Sequence, residues 1–103
     1  MRAFVYNLSV KVAWPIAKDW LDWQKQEHIP EIMRTGQFES YQIYQLQDTE
    51  DNEGPTFIIQ FFCESEEFYI EYISKYASAL RQKALSKWGD QYIAYRTTMK
   101  AVH

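Results

Sequence analysis

The chain is 103 residues long, 47% hydrophobic and 17% aromatic, with a formal charge of −3. That length holds one domain, residues 1–103, around one modest core. Lys and Arg are scattered singly among acids, without the clustered basic footprint of a general phosphate-backbone binder, and a single cysteine, Cys63, excludes an intrachain disulfide framework.

The first element is a strand over about residues 2–12. Phe4, Tyr6, Leu8, Val10 and Val12 alternate with Ala3, Val5, Asn7 and Ser9, the period of two that marks a pleated strand. Pro15 suits the first turn of a helix over about 15–28, in which Ile16, Ala17, Trp20, Leu21 and Trp23 recur at helical spacing. Pro30 is expected to break or kink it, because proline lacks the N–H and clashes with the preceding turn. One more turn through Glu31, Ile32 and Met33 then ends at Gly36, a residue free to take a left-handed conformation. Phe38 to Leu46 alternate as a second strand, and the polar, acidic run from Asp48 to Pro55 is the hairpin loop. Thr56 to Cys63 is apolar on both faces, as a central strand is. Ser65 is placed to cap a second helix, with Glu66 and Glu67 at its positive end. Tyr69, Tyr72, Ile73, Tyr76, Leu80, Ala84 and Trp88 form its apolar stripe, and Gly89 stops it. Residues 90–100 supply the last strand.

The order β-α-β-β-α-β predicts an α+β, ferredoxin-like fold: a four-stranded antiparallel sheet with two helices on one face. Such an arrangement leaves the other sheet face open, and here the strands carry large apolar groups on both faces. Eight Tyr, six Phe and four Trp also exceed what so small an interior readily hides. A homodimer formed on the open face is therefore expected. The alternative is that the acidic loop or the C-terminal tail folds over it. Met1-Arg2-Ala3-Phe4 leads directly into strand one, with no signal peptide, no apolar run of about 18 residues and no lipidation motif. A cytoplasmic protein that makes no use of a membrane is expected.

Several local runs carry a family likeness. They are Tyr6-Asn7-Leu8-Ser9-Val10, Trp20-Leu21-Asp22-Trp23, His28-Ile29-Pro30, Thr35-Gly36-Gln37-Phe38, Leu80-Arg81 and Trp88-Gly89-Asp90, in this order along nearly the whole chain. Together they resemble a small bacterial family known only as a domain of unknown function, which looks related to the dimeric α+β barrel superfamily. The resemblance implies the ferredoxin-like fold and a dimer, and no reaction. The wider superfamily includes cofactor-independent quinone-forming monooxygenases, haem-degrading enzymes, lactone isomerases and plain ligand binders. That sets candidates only, because fold does not imply function.

Four residues stand out as candidate ligand contacts: Asn7, Trp20, Trp23 and His28. His28, the only internal histidine, could act as a catalytic acid or base, or as one axial haem ligand; alternatively it caps the C-terminal end of the first helical segment with positive charge. Trp20 and Trp23 could wall a pocket for a flat apolar ligand, or simply pack in the core. Asn7, on the strand face opposite Tyr6 and Leu8, could polarise a substrate carbonyl, or bond to a neighbour. Tyr69, Tyr72 and Tyr76 read as a core stripe with hydroxyls at its rim; Arg81 and Arg96 could hold an anionic group but read more simply as solvated or ion-paired charges; and Cys63 reads as a buried thiol. Glu64, Glu66, Glu67 and Glu71 have no matching histidines, so no metal site is expected. With three glycines there is no phosphate-cradling loop, and no signature predicts a cofactor.

The leading expectation is a dimeric small-molecule-binding protein whose pocket, between helices and sheet, is lined by Asn7, Trp20, Trp23 and His28. One alternative is a cofactor-independent monooxygenase- or isomerase-like enzyme acting on an aromatic or polyketide-like compound, with His28 moving a proton. Another is a non-catalytic protein-interaction domain. An RNA-recognition module shares the element order and would stack bases on Tyr6, Phe57 and Phe61, but the charge and the missing basic strand-three signature argue against nucleic acid.

Overall fold

The computed structural model describes residues 3–102. Strand β1 (Phe4–Val12) leads through a short 3-10 turn at Trp14–Ile16 into helix α1 (Ala17–Trp23). A π turn, Gln24–His28, joins α1 to α2 (Ile29–Arg34). Then come β2 (Ser40–Gln45), β3 (Thr56–Cys63), α3 (Glu66–Lys75), α4 (Ala77–Trp88) and β4 (Tyr92–Lys100). The sheet order is β2-β3-β1-β4 with every neighbouring pair antiparallel. This is the ferredoxin-like α+β fold the element order predicts.

The register sorts the strand residues into two faces. Tyr6 lies opposite Phe61 and Thr98, and Asn7 lies opposite Gln60 and Thr97. Phe4, Tyr6, Val10 and Val12 of β1 and Phe57, Ile59, Phe61 and Cys63 of β3 are buried on the helix-covered face. On the open face Tyr44, Ile93, Tyr95 and Met99 remain exposed. The acidic loop does not cover them. It docks on the end of β1, where Val12 N–H donates to Pro55 O (3.0 Å), Trp14 N–H to Glu53 O (3.1 Å) and Trp14 Nε1 to Asp51 O (2.8 Å). Gly54 makes that docking close: a Cβ there would sit 1.7 Å from Val12 O. At the other end Ala101 N–H donates to Ala3 O (2.9 Å), so the chain after β4 prolongs the ladder beside β1.

Two helical expectations are corrected. Pro30 does not break the first helix. It falls in the first turn of α2, where its missing N–H is tolerated, and the irregularity lies just before it. There Ile29 N–H reaches back five residues to Gln24 O, a π bond. The second helix is divided at Tyr76 (φ −120°, ψ −34°) into α3 and α4. Ser65 precedes α3 in extended conformation but its side chain makes no cap bond. Gly36 and Gly89 both take positive φ, 80° and 61°, as helix stops placed on glycine allow.

Candidate functional site

The π turn organises one wall of an internal cavity. Trp20, Gln24, His28 and Ile32 are spaced four apart and all are buried. In an α-helix of 3.6 residues per turn that spacing drifts forward around the axis, and the extra residue of the π turn offsets the drift. One face of the α1–α2 arm therefore presents two indispensably polar groups, the Gln24 amide and the His28 imidazole, to the interior. Trp20 stacks on Phe57 of β3, ring centres 5.5 Å apart.

The other walls come from five elements, with β3 contributing Ile59. β1 contributes Tyr6, Leu8 and Val10; α3 contributes Tyr72; α4 contributes Leu80, Arg81 and Ala84; β4 contributes Tyr92, Ala94 and Arg96. The chamber measures about 50 Å³. Tyr6 is its hub. Its ring packs against Phe38, Phe61, Tyr69 and Tyr72 at centroid distances of 6.1, 6.1, 5.2 and 5.8 Å. Its hydroxyl accepts a hydrogen bond from Arg81 Nη2 at 3.1 Å. The chamber opens toward β4, where Leu8, Tyr92 and Ala94 are half-buried and Arg96 is exposed.

The electrostatics follow from burial. His28 is 7% exposed, and desolvation pushes its pKa down to about 4, against a smaller upward pull from Glu31. The imidazole is neutral at physiological pH, so it is no cationic helix cap. Burial also holds the Tyr72 hydroxyl well above the ordinary phenol range; Tyr6 adds to the shift, and the positive fields of Arg81 and Arg96 oppose it. Among the described residues four buried side-chain nitrogens have no hydrogen-bond partner: His28 Nδ1, Arg81 Nε and Trp20 Nε1, on residues that line the chamber, and Trp88 Nε1, on one that does not. Unmatched buried polar groups are costly, so two donors, Arg81 Nε and Trp20 Nε1, and a histidine nitrogen on residues around one chamber call for an explanation.

The four residues expected to share a pocket do not. Trp20 and His28 line the chamber. Trp23 stacks on the His28 ring at 4.4 Å and lines instead a separate, shallow surface groove with Glu27, Glu31, Gln82, Lys83 and Lys87. Asn7 is on the other side of the sheet, because successive strand residues point to opposite faces and Tyr6 points inward. There Asn7 Nδ2 donates to Thr97 Oγ1 (3.2 Å), and Gln60 Nε2 donates to Asn7 Oδ1 (3.2 Å). The same alternation buries Tyr6, Phe57 and Phe61 under the helices, where no base could stack on them.

The sequence does not point to Tyr6 or Gln24 as pocket residues, and it offers Arg81 and Arg96 as possible anion holders without the geometry to prefer that over solvated charges. The signals were present. Arg81 interrupts an apolar stripe of α4, four residues after buried Ala77 and three before buried Ala84. Arg96 alternates with Ala94 and Tyr92 on the helix-facing side of β4. Arginines at apolar-face positions near a histidine mark a site better than any one of them alone.

Among the described residues, no group of three His, Cys, Asp or Glu side chains is placed to hold a metal ion, and no helix is long and apolar enough to cross a membrane. No curated protein matches the sequence. Solved structures share the fold. A dimeric ferredoxin-like protein from an uncultured marine organism superposes with a TM-score of 0.76 at 6% identity, over 97% of this chain and 95% of that one. SnoaB, a cofactor-independent oxygenase from Streptomyces nogalater, gives 0.67 at 7% identity, over 98% and 95%. A monooxygenase of Streptomyces coelicolor, in complex with nanaomycin D, gives 0.60 at 17% identity, over 98% and 90%. Residues 3–102 match one family throughout, and the chain belongs to it: the domain of unknown function DUF4286.

Proposed function

We propose that the protein is a homodimer that binds a small organic molecule in the chamber between its helices and its sheet. The observation that carries this reading is the polar cluster on a core cavity. Tyr6, Tyr72, Gln24, His28 and Arg81 gather around one space in an otherwise aromatic interior, with three buried nitrogens unmatched. A core kept only for stability would fill this position with hydrocarbon. The dimer is supported by the open sheet face, where large apolar side chains are exposed and the acidic loop is docked elsewhere. The structurally similar marine protein is dimeric as well. The lone Cys63 thiol, buried and with its pKa raised to about 11 by desolvation, suits a reducing cytoplasm.

An enzyme is the second reading, favoured by neutral His28 on a chamber that Tyr6 and Tyr72 also line, in a fold shared with oxygenases. It ranks second because a base with a pKa near 4 has little driving force to take a proton at neutral pH. Native mass spectrometry on freshly purified protein, repeated after denaturation, tests both halves. A dimer carrying mass that is lost on denaturation is expected. A bare monomer would sink the proposal and shift weight to a missing protein partner for the open face.

A further inference from the structure

We infer that the ligand enters the chamber by an anionic oxygen, that of a carboxylate or an equivalent enolate or phenolate, seated between Arg81 and Arg96, while an apolar body lies over Leu8, Ala94 and Tyr92 at the mouth. This rests on the reading of the chamber as the ligand site.

Charge is the first argument. The chain has 14 acidic residues against 11 Lys and Arg, yet the chamber is lined by two arginines and no carboxylate. The ion pairs among the described residues join Lys18 to Asp22, Lys75 to Glu71 and Lys83 to Glu31; neither chamber arginine takes part in them. A guanidinium cannot shed its proton to escape burial, so it needs an anion or strong acceptors. Arg81 has one, the Tyr6 hydroxyl on Nη2, while its buried Nε–H has none. The fork is thus held at one corner and unmatched at another.

The balance of donors and acceptors is the second argument. Arg81 Nε and Trp20 Nε1 can only donate. A ligand that complements them presents acceptors, and a charged acceptor makes hydrogen bonds roughly twice as strong as a neutral one. His28, neutral, adds a donor or an acceptor according to its tautomer.

Size is the third. At about 50 Å³ the chamber holds a head group of two or three heavy atoms and not an aromatic ring; a cavity that takes benzene is about 150 Å³. The body of the ligand must therefore remain at the mouth, where the half-buried side chains of Leu8, Tyr92 and Ala94 lie beside the exposed Arg96.

The probes are 3-phenylpropionate and its uncharged amide, 3-phenylpropanamide, titrated calorimetrically into the full chain at pH 7.5 and low ionic strength. The acid is expected to bind about tenfold tighter or more. Arg81→Gln should erase that preference, and Arg96→Gln, at an exposed position, should reduce it without endangering the fold. Arg34→Gln, on an exposed helix position away from the chamber, should keep it. Equal affinity for acid and amide, or tighter binding of the amide, overturns the anion inference and leaves the chamber a binding site. Failure of both probes, in protein that retains an adduct in native mass spectrometry, also overturns it while sparing the broader reading. Failure of both with no adduct overturns both.

Discussion

On β1 and β3, neighbours in sequence have opposite fates. Phe61 is fully buried under the helices, in ring contact with Tyr6 and Phe38, while Gln60 beside it faces the open side and bonds to Asn7. Across the sheet the open face repeats this polar choice in one register row, Gln42, Gln60, Asn7 and Thr97. The flanking rows, Tyr44, Ile58, Ser9 and Tyr95 on one side and Ser40, Phe62, Val5 and Met99 on the other, are mainly apolar, with Phe62 already buried. The helix-covered face is continuous aromatic packing interrupted by one charged chamber; the open face is apolar with a polar stripe. The first pattern suits a core that has been opened for a ligand. The second suits a surface that pairs with its like, since apolar rows supply burial and a hydrogen-bonding row fixes register.

The largest expected effect lies on the covered face. Phe61→Ala should cost about 3–5 kcal/mol in chemical denaturation, because the side chain is fully enclosed by a rigid aromatic cluster that cannot collapse into the void. Tyr95→Ser, at a residue 65% exposed, should change the stability of an isolated subunit by no more than about 0.5 kcal/mol. If both cost the same, the two faces are not distinct in the way the exposures imply.

His28 gives the next effect, and its sign is fixed by the direction of its shift. Its pKa falls from 6.5 to about 4 on folding, so the unfolded chain binds the extra proton between those values. Stability contributed by neutral His28 is complete above pH 6.5 and is lost as pH falls toward 4, by about 3 kcal/mol in total. The ordinary pull of Glu31, itself paired with Lys83, is too weak to reverse this. His28→Gln, nearly isosteric and uncharged, should flatten the stability profile across that window. A profile equally steep in the variant would assign the slope to other groups.

These two tests also mark what the sequence could and could not convey. Alternation located β1 and β2, because the strand period is strict, and apolar residues on both faces located β3. It also placed Asn7 opposite Tyr6, and a pocket shared by Asn7 and the helix residues was already inconsistent with that placement. The π turn was not legible: nothing in Gln24-Lys25-Gln26-Glu27-His28 distinguishes it from α-helix, and only the packed structure shows that it keeps His28 on the face of Trp20. Arg81 and Arg96 lie on different elements, α4 and β4, and their meeting at one chamber depends on the tertiary fold. Their chemistry was visible, but their company was not.

A third effect concerns the proposed dimer. Tyr95→Ser combined with Ile93→Ser, both exposed on the open face of β4, should weaken self-association by about tenfold or more in sedimentation equilibrium while leaving subunit stability near wild type. Unchanged association would move the interface to another surface.

The smallest effect is the most discriminating. Asn7 Nδ2 and Oδ1 link Thr97 and Gln60, with Ser9 Oγ at 3.5 Å. In a lone subunit all these groups are partly reached by water, so Asn7→Ala should cost only about 0.5–1 kcal/mol, the net value of hydrogen bonds that solvent can replace. If a second copy covers the face, water is excluded from the stripe, and Gln60 and Thr97 lose a partner without recovering one. The cost then rises toward about 1–3 kcal/mol per unmatched group. The two situations separate by dilution: measured above and below the dissociation range of the dimer, the Asn7→Ala penalty should grow with protein concentration. A penalty that stays constant would mean that the polar stripe remains in water, and that whatever pairs two subunits does so elsewhere.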